Sequence, residues 1–187
     1  MELQLLNESF IAKSNLSIWH AGCSSGEEVY TMGIVLRESN FKKPVEARAT
    51  DISNQAMTIA RSGEYHLLKM QEYDKNYQVF NPLSTLLKYY TVNHDTAGFD
   101  TSLIQHVNFE YHNLITDPFT RKYDIIFCRN VMIYFDNNAK LKLFEKFHGS
   151  LNPGGLFVIG FYDAVLPLVD ETKFRVMDIE SKIFQKI

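Results

Sequence analysis

The stretch from Ile18 to Tyr30 constrains the fold more than any other part of the chain. It reads Ile-Trp-His-Ala-Gly-Cys-Ser-Ser-Gly-Glu-Glu-Val-Tyr. An apolar run enters a block of small residues, Gly22 to Gly26, and leaves it through Glu27 and Glu28. Beyond them Val29, Tyr30, Met32, Ile34, Val35 and Leu36 recur at helical spacing. Strand, tight small-residue turn and helix form the opening unit of a nucleotide-binding α/β fold. The turn needs small side chains because a ligand approaches backbone only where no Cβ intervenes. The two acids then set the charge of that ligand. At a helix N-terminus they favour the helix dipole but repel a phosphate, so the turn suits a nucleoside carrying an ammonium or sulfonium.

The rest of the chain extends this alternation. Ser17 to Ala21 is predicted as the first strand and Glu27 to Glu38 as the first helix. After Pro44 a second strand, Val45 to Thr50, ends in Asp51, and Asp51-Ile52-Ser53-Asn54 caps a second helix that stops at Gly63. Two such changes of period are the signature of βαβ units and a mostly parallel sheet. The polar, aromatic stretch from Tyr65 to Asn81 breaks the pattern. Two short β-like pieces follow, Tyr89 to Val92 and Phe99 to Leu103, around the turn-forming His94-Asp95-Thr96-Ala97-Gly98. Residues 66–105 thus read as a small antiparallel β-subdomain inserted into the parallel core. Val107 to Tyr111 and the apolar Tyr123 to Cys128 are further core strands. A helix from Asn138 to Leu151 follows, and Asn152-Pro153-Gly154-Gly155 turns the chain into a strand from Leu156 to Gly160. Phe174 to Met177 and Lys182 to Ile187 close the sheet as an antiparallel hairpin. Leu3 to Ala12 is weakly helical.

Composition excludes several classes. A length of 187 residues, 45% hydrophobic and 22% charged, fits one soluble globular domain, residues 1–187. A net charge of −3 without a basic run leaves no electrostatic footprint for nucleic acid. No apolar stretch approaches the ~20 residues that span a bilayer, so no membrane insertion is expected. The opening Met-Glu-Leu-Gln does not resemble a signal peptide. Cys23 and Cys128 lack a pairing pattern and read as free thiols of a cytoplasmic protein; no zinc site is supported.

Four clusters fall at strand ends, where open α/β sheets bind ligands: Gly22 to Glu28, Asp51, Asn113-Leu114 and Arg129-Asn130. An acid closing the second strand accepts hydrogen bonds from ribose hydroxyls, although Asp51 also reads as a simple helix cap. Asn113 reads either as a turn residue or as an amide that pairs with an adenine edge or a carboxylate, with Leu114 packing on the base. Tyr134 lies in an apolar run, where the plain reading is a core aromatic. Cys128, closing a buried strand, reads as core rather than nucleophile. S-adenosylmethionine matches the cationic nucleoside that the opening turn favours.

Cys128-Arg129-Asn130-Val131-Met132-Ile133-Tyr134-Phe135 makes the resemblance specific. Together with Trp19 to Glu28, Ala49-Thr50-Asp51-Ile52, Ala60 to Tyr65 and Asn113-Leu114, the chain resembles the chemotaxis receptor glutamate methyltransferases, the CheR family. The resemblance covers Ile18 to about Gly160, in order. It implies a Rossmann-like, S-adenosylmethionine-dependent methyltransferase with an inserted β-subdomain. It also implies methyl transfer to glutamate γ-carboxylates on the cytoplasmic helical region of a chemoreceptor or related signalling protein, leaving S-adenosylhomocysteine. Carried over by motif, Gly22 lines the cofactor turn, Glu28 faces the methionine end and Asp51 holds the ribose. Asn113, Leu114, Arg129 and Asn130 complete the pocket, and Tyr134, with Arg129, stands by the transferred methyl. Because a glutamate is already anionic at neutral pH, with a pKa near ~4.3, no general base, metal or catalytic cysteine is expected.

Two departures from the family pattern stand out. The family's N-terminal helical domain carries a Phe-Phe-Arg segment whose arginine reaches the cofactor, and this sequence has no counterpart ahead of its first strand. The family's Gly-His-Ser-Glu-like ending of the fifth strand is here Gly160-Phe161-Tyr162-Asp163-Ala164. A catalytically degenerate module that binds the cofactor or a protein partner is therefore the alternative expectation.

Overall fold

The structure is a computed structural model that describes residues 13–163 and 169–187. The helix expected over Leu3 to Ala12 lies outside the described residues. In chain order the elements are β1 (Leu16–Ala21), α1 (Glu27–Glu38), β2 (Val45–Asp51), α2 (Asn54–Ser62), β3 (Glu64–His66) and α3 (Met70–Phe80). They continue with β4 (Tyr90–Asn93), β5 (Thr96–Phe99), β6 (Val107–Tyr111), β7 (Tyr123–Cys128), α4 (Asn137–Ser150), β8 (Leu151–Ile159), β9 (Phe174–Asp178) and β10 (Ile183–Lys186). The chain divides into two compact units. The first comprises Met1–Cys23, Lys42–Ile52 and His106–Ile187, and the second Ser24–Phe41 and Ser53–Gln105.

The first unit is built on a seven-stranded sheet of order β6-β2-β1-β7-β8-β10-β9. β6, β2, β1, β7 and β8 are parallel, while β10 runs antiparallel to both β8 and β9. Ile18 of β1 is paired with Ala47 on one side and Ile125 on the other. Strands walled in this way read as near-continuous apolar runs. Trp19 is fully buried, with Phe119, Tyr123 and Phe147 rings 4.7, 5.3 and 5.5 Å away. Its indole N–H donates to the Thr50 hydroxyl at 2.9 Å, so the one polar atom of the ring is satisfied. Leu143, Phe144 and Phe147 of α4 join Phe157, Phe174 and Phe184 in the same core. The cap of α4 is Asp136, whose carboxylate accepts the Ala139 N–H at 2.8 Å, so the helix starts one residue earlier than expected.

At the N-terminal edge of the sheet Asp124 is buried, where its carboxylate accepts the Ser17 N–H and hydroxyl, the Asn152 amide and the Lys13 ammonium. Burial alone would raise this carboxyl, but those four bonds hold it below the ordinary range. Residues 152–155, expected as a turn ahead of the next strand, instead lie inside β8. The register jumps from Tyr123 opposite Leu151 to Ile125 opposite Leu156, and Gly154 takes φ +72°. Pairing with β7 thus keeps Asn-Pro-Gly-Gly in the strand as a bulge.

The second unit holds α1 to α3 and a three-stranded antiparallel sheet, β3-β5-β4. The expected excursion exists with different bounds. Its tip is His94-Asp95, with His94 at φ +52°, and Gly98 lies in β5, paired with Glu64 and Thr91. Thr101 to Leu103, expected to belong to a strand, fall in a 3-10 turn, Thr101–Ile104, capped by Asp100. Ser53, rather than Asp51, caps α2, accepting the Ala56 N–H at 3.2 Å. The Glu38 carboxylate gathers the Lys88 ammonium and the Tyr77 and Tyr89 hydroxyls at 2.5–2.6 Å, tying α1 to α3 and to the turn before β4. Those bonds, Lys88 first and then the two phenols, hold Glu38 down to about 2.

Candidate functional site

The opening stretch folds as its composition requires. At the end of β1 the N–H groups of Gly22 and Cys23 both donate to the Thr50 carbonyl, at 2.8 and 2.9 Å. The turn is thereby fastened to the residue ahead of Asp51. Gly22 has φ +82°, a conformation costly for any residue with a side chain. A Cβ there would sit 2.5 Å from Cγ2 of Val131, so the turn also packs on the loop that follows β7.

Past Cys23 the chain enters the second unit, where Gly26, at φ +88°, precedes α1 without a side-chain cap. The acids of the first turn, Glu27 and Glu28, face different demands. Glu27 accepts from the Ser25 hydroxyl at 2.7 Å and the Tyr73 hydroxyl at 3.2 Å, while the Tyr65 hydroxyl donates to the Ser25 carbonyl at 2.8 Å. Burial, and then the Glu27 charge beside it, push the Tyr73 phenol up to about 12. Glu28 is partly buried on the same turn.

Asp51 ends β2 opposite Tyr111 of β6, partly buried, and its carbonyl accepts the His112 N–H at 3.2 Å. The next residue, Asn113, opens a turn. Its amide oxygen accepts the Ile115 N–H at 2.9 Å, and its own N–H donates to Asp117 at 2.9 Å. That N–H, with the Thr116 hydroxyl, holds the Asp117 carboxyl below the ordinary range. The structure thus shows Asn113 in its role as a turn residue. Leu114 is buried in the core cluster, and its carbonyl accepts the Lys146 ammonium at 2.7 Å.

At the end of β7 Cys128 is fully buried, as expected of a core thiol, and the chain then turns outward. Arg129 and Asn130 are exposed, and Asn130 takes φ +57°. Val131 backs onto Gly22, and Met132 drops into the core. Tyr134 is 80% exposed, which overturns its reading as a core aromatic. The run is apolar because Met132 anchors it, while the 3-10 turn Met132–Tyr134 rotates the tyrosine out.

The first unit therefore gathers Gly22, Asp51, Asn113, Arg129 and Asn130 at the C-terminal ends of four adjacent strands. β1 is the point where strand order reverses, and open α/β sheets bind ligands there. Tyr134 rides on the Arg129–Asn130 loop, and Glu28 lies in the second unit. The cradle at Gly22 leaves the backbone open, with no Cβ in the way of a ligand. No group of three or more His, Cys, Asp or Glu among the described residues is arranged to hold a metal ion.

A family model described as CheR methyltransferase, SAM binding domain, matches residues 2–183. The chain belongs to this family. Its cofactor is S-adenosylmethionine, the cationic nucleoside that the acidic turn calls for. Among curated relatives, a putative methyltransferase of Pseudomonas putida is 34% identical over 172 residues, covering 92% of this chain and 63% of that protein. A chemotaxis protein methyltransferase of Borreliella burgdorferi is 36% identical over 164 residues, covering 81% of this chain and 53% of that one. One from Vibrio cholerae is 31% identical over 190 residues, covering 98% and 66%. The chain thus spans between about half and two thirds of the length of these relatives. Within this CheR chain, sequence reasoning missed the Thr50 carbonyl that fastens the glycine turn and the Asp117 that shapes the Asn113 turn. The second had a local signal: Asn-x-x-x-Asp ahead of a proline is a turn-forming pattern.

Proposed function

We propose that this chain catalyses S-adenosylmethionine-dependent methyl transfer to glutamate γ-carboxylates of a chemoreceptor or related signalling protein. The observation that carries the reading is the packing of Gly22 on Val131, which joins the glycine turn to the Arg129–Tyr134 loop at the reversal point of the sheet. When bound, the cofactor supplies an electrophilic methyl group on a sulfonium. Asp51 receives the ribose hydroxyls, Glu28 the ammonium of the methionine end, and the NH2 of Asn113 the adenine edge. Leu114, buried beside Asn113, completes that side of the pocket. Arg129 and Asn130 line the wall after β7, and Tyr134, exposed on the same loop, guides the incoming side chain.

A glutamate γ-carboxylate is anionic at neutral pH, with a pKa near ~4.3, so these residues have only to orient it and keep water away. Neither role needs a deprotonating group. A chemoreceptor's cytoplasmic helical region is the proposed acceptor because the relatives are named chemotaxis protein methyltransferases. Incubation with labelled S-adenosylmethionine and receptor-bearing membranes tests this, with counts that base releases as methanol. Saturable binding of S-adenosylhomocysteine without such counts would instead favour a module that binds the cofactor without turnover.

A further inference from the structure

We propose that Asp163 is a positioning residue that sets the backbone of the Arg129–Tyr134 loop, and through it the cofactor and acceptor contacts; this rests on the function proposed above. Asp163 is fully buried four residues beyond the end of β8. One carboxylate oxygen accepts the Asn130 N–H at 2.7 Å and the Gly160 N–H at 2.8 Å, and the other accepts the Ile133 N–H at 3.2 Å. Its own N–H donates to the Gly160 carbonyl at 3.1 Å, and the Lys182 ammonium donates to its carbonyl at 2.9 Å. One side chain thus bridges the exits of β7 and β8 and reaches both ends of the loop between Arg129 and Tyr134.

Two further features belong to the same junction. Asn130 takes φ +57°, a left-handed backbone that its short polar side chain tolerates but does not itself impose. A Cβ at Gly160 would overlap the Asn130 backbone nitrogen and side-chain oxygen and lie 2.7 Å from its Cγ. The glycine lets the two strand exits close to this distance, and the carboxylate holds them there. Because N–H bonds to a carboxylate are about twice as strong as neutral ones, an amide in its place is a poor substitute. In Asp163→Asn one oxygen becomes an NH2 group facing backbone donors.

A residue that only stabilised the fold would lower the melting temperature and leave ligand affinity alone. The test compares wild type, Asp163→Asn, Asp163→Glu and Gly160→Ala. Amide hydrogen exchange by NMR reads Asn130, Ile133 and Gly160 directly, without cofactor. Calorimetry reads the S-adenosylhomocysteine Kd well below each variant's melting temperature. Expected are exchange at Asn130 and Ile133 at least ~10-fold faster in Asp163→Asn and a Kd raised ~10-fold or more, with partial rescue in Asp163→Glu. Gly160→Ala forces the same junction open while keeping the acid, so it decides the matter if Asp163→Asn does not fold. Unchanged exchange at these amides overturns the bridge. Faster exchange with an unchanged Kd overturns the positioning role. A wild-type chain that binds no S-adenosylhomocysteine refutes the proposed function, while the exchange data still decide the bridge.

Discussion

Gly22→Ala puts the construction of the opening turn under direct strain. At φ +82° an alanine enters a left-handed backbone that costs an L-residue ~1–2 kcal/mol. Its methyl would also sit 2.5 Å from Cγ2 of Val131, whereas carbon atoms rest about 3.5–4.0 Å apart, so the loop after β7 must retreat by about 1 Å. Overpacking of that kind costs ~1–3 kcal/mol. Together these remove ~2–5 kcal/mol from a native stability of ~5–15 kcal/mol. For a chain of this size the melting temperature should fall by roughly 4–20 °C. Scanning calorimetry of wild type, Gly22→Ala, Val131→Ala and the double variant separates the two parts. Removing the Val131 γ-methyls relieves the overlap but not the backbone strain, so the cycle should show a favourable coupling of ~1–3 kcal/mol. Affinity for S-adenosylhomocysteine should drop in Gly22→Ala and return in part in the double variant. A Gly22→Ala protein melting within about 1 °C of wild type, or a cycle with no coupling, would refute the reasoning.

Three other perturbations have defined outcomes. Trp19→Phe removes ring volume from a fully buried site and leaves the Thr50 hydroxyl without its indole donor, so urea unfolding should show a loss of ~2–4 kcal/mol. Lys88, Tyr77 and Tyr89 hold Glu38 at about 2 against 4.5 when unfolded, so this stabilisation is complete above pH 4.5 and disappears as pH falls toward 2. Urea midpoints of wild type and Glu38→Gln should therefore differ at neutral pH and converge across that window; parallel curves would rule out the carboxylate as the origin. Tyr134→Phe should leave the melting temperature unchanged, because the ring is 80% exposed, while slowing methyl transfer about five- to tenfold through one lost hydrogen bond. Wild-type turnover in this variant would take the hydroxyl out of the acceptor site.

The parallel strands were legible because burial on both faces writes them as apolar runs, and β6 and β7 keep their expected bounds. Helix α1 was equally clear, since Gly26 and two acids mark its start. What the sequence hides are decisions made at long range. β3 is three residues, Glu-Tyr-His, and exists only because β5 offers it an edge. Asn152 to Gly155 has the composition of a turn, yet pairing on either side keeps it in β8. Tyr134 leaves its expected core environment because the anchor Met132 fixes which side chain of that loop faces the core. Glycine spacing and strand-end acids announced Gly22 and Asp51 as site candidates. The acid that bridges β7 to β8 lies 33 residues from Asn130, and no local pattern connects them.

The proposed function is tested most directly by the fate of labelled methyl on a purified chemoreceptor cytoplasmic region mixed with this chain and S-adenosylmethionine. The expected result is time-dependent labelling that base releases as methanol and that disappears when the acceptor glutamates are replaced by alanine or when Asp51 of this chain is replaced by alanine. Base-stable label, or no label from a chain that binds S-adenosylhomocysteine, would contradict it.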